Sequence, residues 1–345
     1  MSGGVDSSVA AGLLVEQGYR VVGVSLRLWE GRDLGPRNCS DHRGAEEVAA
    51  LLGIPHTVLD ERAAFREAVV APFARSYLDG VTPNPCVACN RRFKIEKLLA
   101  WAEARGIPRV ATGHYARIGR GGGSLLRGSD RNKDQSYFLF ALSPRQLQRT
   151  VFPLGELHKE AVRAKARELG LPVADRPESQ DICLGDHRAL VETLAGPDRP
   201  GSGEIVDSRG SVLGRHDGVH RFTVGQRKGL GIAAPRPLYV LRIDAERRRV
   251  VVGPREQLST SSFTASRLNW IEPPLGEEAA AEVQVRYRSK PAPCTLKPLD
   301  GHGVEVRPDE PLASVTPGQA AVFYRNEQVL GGGWIDKAPV PPPLS

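Results

Sequence analysis

The chain has 345 residues, 40% of them hydrophobic and 25% charged, with five cysteines and a net charge of +7. That is enough chain for two or three cores and the composition of an ordinary globular protein, which excludes a fibrous or disordered one. No run approaches about 18 apolar residues and no basic-then-apolar leader is present, so the sequence predicts neither a membrane span nor secretion and points to the cytoplasm.

The chain opens on "MSGGVDSS", a glycine-rich stretch running into a helix. Val9, Leu13 and Leu14 mark that helix, which ends near Gly18, and 19–28 reads as a buried strand. A second helix over 44–53 and a strand over 56–60 follow, then a third helix over 93–106 and a strand over 108–115. Strands alternating with helices predict a parallel sheet covered on both faces. The turn-rich stretch 119–130 predicts a hairpin at the margin of that sheet.

After about residue 190 the pattern becomes short strands separated by turns, over 203–214, 237–244 and 247–253, and from about 262 onward it is strand-rich with little helix. The expected divisions are an α/β domain over 1–195, a small β-rich domain over 196–255, a C-terminal β-barrel over 256–338 and a loose tail over 339–345.

"SGGVDSS" is neither a Walker loop nor a dinucleotide fingerprint. Taken alone it reads equally as a glycine turn capping a helix or as an anion cradle. Its place ahead of an α/β alternation favours phosphate, gathered by backbone N–H groups at a helix N-terminus. Gly3 and Gly4 leave room for an anion, Ser2, Ser7 and Ser8 offer hydroxyls, and Asp6 stands where it can order the loop or help hold Mg²⁺.

Five cysteines in a long chain do not make a disulfide framework. Cys86 and Cys89 form a C-x₂-C pair, but no second pair exists to complete a zinc site. An iron–sulfur cluster on Cys86, Cys89 and Cys183 stays open as an alternative.

"SGGVDSS" opening a helix resembles the PP-loop of the N-type ATP pyrophosphatases. Further stretches narrow the likeness: "TPNPCVACNRRFKI" (82–95), "ATGHYARI" (111–118), "KDQSYFLF" (133–140), "FPLGELHKEAVRAKARELGLPVADRPESQDIC" (152–183), "GRHDGVHRFTVGQRKGLGI" (214–232), "VRYRSKP" (285–291) and "VTPGQAAVFYRNEQVLGGGWI" (315–335). Together they are similar to the tRNA-specific 2-thiouridylases over nearly the whole chain.

The resemblance implies ATP-dependent sulfur transfer to C2 of the wobble uridine, position 34, in the anticodon loop of tRNA. It implies ATP with Mg²⁺, no firmly bound metal, and a cysteine desulfurase or sulfur-relay protein as donor. It makes Cys89 the nucleophile and Cys183 the persulfide carrier. ATP contacts carry over to Met1, Ser2, Gly3, Gly4, Val5, Asp6, Ser7, Leu26 and Gly113. Contacts with tRNA carry over to Asn84, Pro85, Cys86, His114, Lys133, Asp134, Gln135, Arg286, Tyr287 and Gln319.

Cys86 departs from relatives that carry Asp at this position, so no carboxylate role transfers to it. Cys89, ahead of a helix expected from Phe93, is placed for a lowered thiol pKa. Without the resemblance, His114 reads equally as a hydrogen-bonded structural histidine, and the basic strands over 214–232 and 285–291 as solvated faces. Other PP-loop synthetases, which need no cysteine pair, and a non-catalytic tRNA binder are the competing readings. Relatives place an apolar strand before the loop, and Met1 matches an internal methionine of theirs. The expectation is therefore a start assigned too late, with the first strand lost.

Overall fold

The computed structural model describes residues 1–29, 42–177, 183–196, 201–274, 276–300 and 303–336. The expected tail and Cys39 lie outside these residues.

The loop opens the helix Val5–Glu16, with Gly4 in extended conformation as its N-cap and Gly18 at φ 81° beyond its end. Val5, Val9 and Ala10 pack with Val48, Val162, Ala166, Leu171 and Val173 in one buried cluster. Beside it run two parallel strand pairs, Gly23–Arg27 with His56–Asp60, and Val110–Ala111 with Thr150–Val151. Met1 lies along the first pair, its amino group donating to Val24 O and its carbonyl accepting from Ser25 Oγ at 2.7 Å.

Three elements differ from the sequence reading. The expected strand 108–115 contracts to Val110–Ala111, because Gly113 turns the backbone onto the phosphate loop. The expected helix 93–106 begins earlier and runs over 85–103, since Asn84 takes the N-cap and Pro85 the first turn, where its missing N–H costs nothing. Its middle stretch, Cys89–Lys97, is π-wound. A further helix over 62–78, unmarked in the sequence reading, covers the sheet.

The hairpin Ala116–Ile118 with Leu125–Arg127 does not edge the parallel sheet. It pairs with the barrel strand Gln328–Ile335, through Gln328 to Leu126 and Val329 to Leu125. The cause is apolar burial. Leu125 is fully buried in a cluster that also holds Val87, Ile95 and Leu99 of the long helix and Val322, Tyr324 and Val329 of the barrel. At about 1.5–3 kcal/mol for each large side chain buried, this shared core ties the α/β domain to the barrel.

The middle unit is a four-stranded sheet in the order Val212–His216, Gly203–Val206, Arg249–Gly253, Tyr239–Asp244, around Ile205, Phe222, Val240 and Val250. The C-terminal unit is a closed six-stranded barrel. Its order is Phe263–Trp270, Gly303–Pro308, Ala292–Leu299, Ala279–Gln284, Ala320–Arg325 and Gln328–Ile335, and the last strand returns to the first. Phe263, Leu296, Val306, Phe323 and Leu330 fill it. The expected class, α/β followed by two β-rich units, is the one observed.

Candidate active site

The opening loop closes on itself. Ser2 N donates to Ser7 Oγ at 3.1 Å, and Ser7 Oγ and Ser8 Oγ donate to Gly4 O at 3.2 and 2.9 Å. Gly3 adopts φ 73°, a region open to glycine. The N-cap, Gly4, has no side chain to cap the first turn of the helix, which leaves backbone donors there of the kind that can take an anion.

Two cations flank the loop. Lys159 Nζ lies 2.7 Å from Asp6 Oδ1, and Arg176 Nη1 donates to Gly3 O at 3.0 Å. Tyr115 donates its hydroxyl to the same Asp6 oxygen at 2.8 Å. Leu26 lies buried in the adjoining strand. Gly113 is pressed on the loop itself, where an added Cβ would stand 2.6 Å from Asp6 C and 2.7 Å from Ser7 N.

Cys86 and Cys183 are half-buried and Cys89 is buried, none of them in a disulfide. Cys89 shares an apolar cluster with Phe65, Phe93 and Leu184, the neighbour of Cys183. Burial pushes the Cys89 thiol up to about 11, with Lys94 pulling it down and Cys183 pushing it up. Burial pushes Cys86 up to about 12, and its charged form is opposed further by Cys183 and Cys89, against the pull of Lys94.

This corrects the expectation of a lowered Cys89 pKa. The helix begins at Pro85, so Cys89 sits inside it and under apolar cover, not exposed at its positive end. Among the described residues, no group of three or more His, Cys, Asp or Glu side chains is placed to hold a metal ion.

Three family models match the chain: "tRNA methyl transferase HUP domain" over residues 1–186, "tRNA methyl transferase PRC-barrel domain" over 193–254 and "Aminomethyltransferase beta-barrel domain" over 260–335. A tRNA-specific 2-thiouridylase MnmA of Syntrophotalea carbinolica is 52% identical over 342 residues, 97% of each chain. One of Geobacter metallireducens is 49% identical, over 98% of this chain and 96% of that one. One of Nostoc punctiforme is 48% identical, over 98% and 97%. The chain belongs to the tRNA-specific 2-thiouridylase family.

Several positions that the family likeness assigns to RNA contact lie in internal hydrogen-bond networks of this thiouridylase family member. His114 is buried between Thr112 Oγ1 at 2.8 Å and Asn90 Oδ1 at 3.2 Å. Burial, aided by Lys94, pushes its pKa down to about 3. Asp134 accepts from Gly128 N and Ser136 N, both at 3.0 Å, and Gln135 Oε1 accepts from Tyr115 N at 3.0 Å. Arg286 Nη2 donates to Val224 O at 3.2 Å and Thr316 Oγ1 at 2.7 Å, joining the middle unit to the barrel. Gln319 Nε2 donates to Thr82 O and Pro83 O. Tyr287 packs on Phe138 with ring centroids 4.3 Å apart, while Lys133 is half-buried.

Asn84, Pro85 and Cys86 form the entry to the thiol helix. Lys159, Arg176, Tyr115 and Lys94 were missed by the sequence reading. Lys159, Arg176 and Tyr115 are far in sequence from what they serve, and although Lys94 is five residues from Cys89, nothing in "HKEAVRAK" or "RRFKIEK" marks one lysine above another.

Proposed function

We propose that the protein is an ATP-dependent, cytoplasmic tRNA-uridine 2-sulfurtransferase acting at the wobble uridine, position 34. The gathering of Cys89 and Leu184, the neighbour of Cys183, in one buried cluster of the domain that carries the opening loop is the observation that carries the reading. The family models speak of methyl transfer and the relatives' names of thiolation. Cysteines brought together in the same domain as a PP-type loop favour sulfur.

In this reading, the cradle over Ser2 to Ser7, with Met1 and Val5, holds the ATP polyphosphate. Lys159 and Arg176 supply counter-charge, and Leu26 and Gly113 line the nucleotide side. Mg²⁺ travels with the phosphates, with Asp6 the carboxylate at hand. The uridine O2 attacks the α-phosphate and releases pyrophosphate, making the oxygen a leaving group. The outer sulfur of a Cys183 persulfide, loaded by a desulfurase or relay protein, bonds to C2 as AMP departs. Cys89, as thiolate, then attacks Cys183 Sγ. The S–S bond to the RNA sulfur breaks, its electron pair leaves on the thiolated base, and a Cys89–Cys183 disulfide remains for an external dithiol to reduce.

The RNA role of Asn84, Pro85, Cys86, His114, Lys133, Asp134, Gln135, Arg286, Tyr287 and Gln319 belongs to the same reading, those with internal partners acting through the shape of the binding surface. The domain divisions at 195 and 255 are likewise proposals. The test incubates the protein with unmodified tRNA, ATP, Mg²⁺, cysteine and a desulfurase, and assays 2-thiouridine. Product is expected with the wild type and none with Cys89→Ser or Cys183→Ser. Activity retained in either variant overturns the two-cysteine chemistry.

A further inference from the structure

The loop leading into the thiol-bearing helix is held by the barrel. Gln319 Nε2 donates to Thr82 O at 3.0 Å and to Pro83 O at 3.2 Å, and Thr82 N donates to Pro317 O at 3.1 Å. Gly318, at φ 87°, presses the same barrel turn against the loop. An added Cβ there would stand 2.3 Å from Val81 Cγ1 and 2.9 Å from Thr82 O. Tyr137 donates its hydroxyl to Ala320 O at 3.0 Å and is hydrogen-bonded to the Asn84 side chain, a second link between loop and barrel.

The chemistry of the loop makes these links matter. Two of the four residues over 82–85 are prolines and have no N–H to donate, so the loop cannot stitch itself together through its own backbone. The amide of Gln319 donates to two adjacent carbonyls of this loop. Cys86 follows immediately after Pro85, so a shift of Thr82 and Pro83 is carried into the thiol helix. The same barrel turn meets the middle unit, since Thr316 Oγ1 accepts from Arg286, which also donates to Val224 O.

We infer that Gln319 is a positioning residue: by tethering Thr82 and Pro83 to the barrel it fixes where Cys86 and Cys89 stand. RNA docked on the barrel would thereby meet thiols whose position that same barrel sets. The inference rests on the sulfur-transfer reading where turnover is measured, and stands without it where thiol accessibility is measured.

The test uses the full chain without RNA or ATP and follows alkylation by iodoacetamide at each cysteine by mass spectrometry. Cys294, buried in the barrel core, reports any opening of the barrel itself. Gln319→Leu removes the donors, and Gln319→Glu keeps the size while facing two carbonyls with an acceptor. Each variant is expected to speed alkylation of Cys86 and Cys89 by about tenfold, the scale of two lost hydrogen bonds, with Cys294 unchanged. In the thiolation assay, kcat should fall about as much.

Unchanged alkylation at both Cys86 and Cys89 in both variants overturns the inference. So does an equal rise at Cys294, which would mark a general opening of the barrel. A wild type that makes no 2-thiouridine refutes the functional reading alone, and the alkylation result still decides the positioning role.

Discussion

Lys159 Nζ lies 2.7 Å from Asp6 Oδ1, joining the first residue of one helix to the first turn of another 153 positions earlier. The ammonium is nearly buried and the carboxylate about a third exposed. The pair presents a cation at the mouth of an anion cradle while keeping the cradle's only acidic side chain neutralised.

Lys159→Met should therefore harm both stability and nucleotide binding. Asp6 would keep its Tyr115 hydrogen bond but lose its charge partner, at a cost of about 1–3 kcal/mol in urea denaturation. Affinity for ATP, followed by calorimetry, should fall at least about tenfold. Unaltered ATP binding would remove Lys159 from the site.

Gly113→Ala tests the packing of the loop against its neighbour. A methyl group 2.6 Å from Asp6 C and 2.7 Å from Ser7 N has no flexible side chain to displace, so the loop backbone must move. Overpacking of this kind costs about 1–3 kcal/mol. The melting temperature should drop, and ATP affinity with it. A stable variant with weakened ATP binding would instead mark Gly113 as a ligand approach point.

The thiols should behave as weak acids in the resting protein. Burial holds Cys89 near 11, so its alkylation should rise about tenfold per pH unit from pH 7 to 10 without levelling off. Lys94 favours the thiolate of Cys89 and Cys86. Lys94→Gln should raise both pKa values and slow alkylation at fixed pH by several-fold. A plateau near pH 8 in the wild type would contradict the burial argument.

His114 should shape the acid limit of stability. Its folded pKa is depressed to about 3 from 6.5, mainly by burial. The stabilisation it contributes is full above pH 6.5 and is lost as pH falls toward 3, by up to about 1.4 kcal/mol per pH unit. Urea denaturation across pH 7.5 to 4 should show a shallower loss for His114→Gln than for the wild type. Parallel slopes would mean that His114 is not the group responsible.

Much of the architecture was legible in the residues. The switch from helix–strand alternation to short strands marks the passage from α/β to β-rich structure, and "SGGVDSS" marks the loop, because periodicity and glycine patterns are local properties. The start of the thiol helix was legible in principle, from Asn84 and Pro85, but the apolar spacing after Phe93 drew the expected boundary eight residues too late. The turn-rich stretch 119–130 points to a hairpin at the margin of the parallel sheet, but the hairpin runs over 116–127 and pairs with the barrel, since nothing in its own sequence names its partner strand.

By itself, then, the sequence determined the order of units, the glycine-rich loop that opens the first helix and which cysteines belong to family motifs. Tertiary structure alone decided that Lys159 and Arg176 reach the loop, that Cys89 is buried inside a helix rather than exposed at its positive end, and that the barrel's Gln319 grips the loop before the thiol helix through Thr82 and Pro83. The physical reason is range. Turns, caps and periodic faces are written within a few residues, whereas desolvation and ion pairing depend on which distant segments exclude water together.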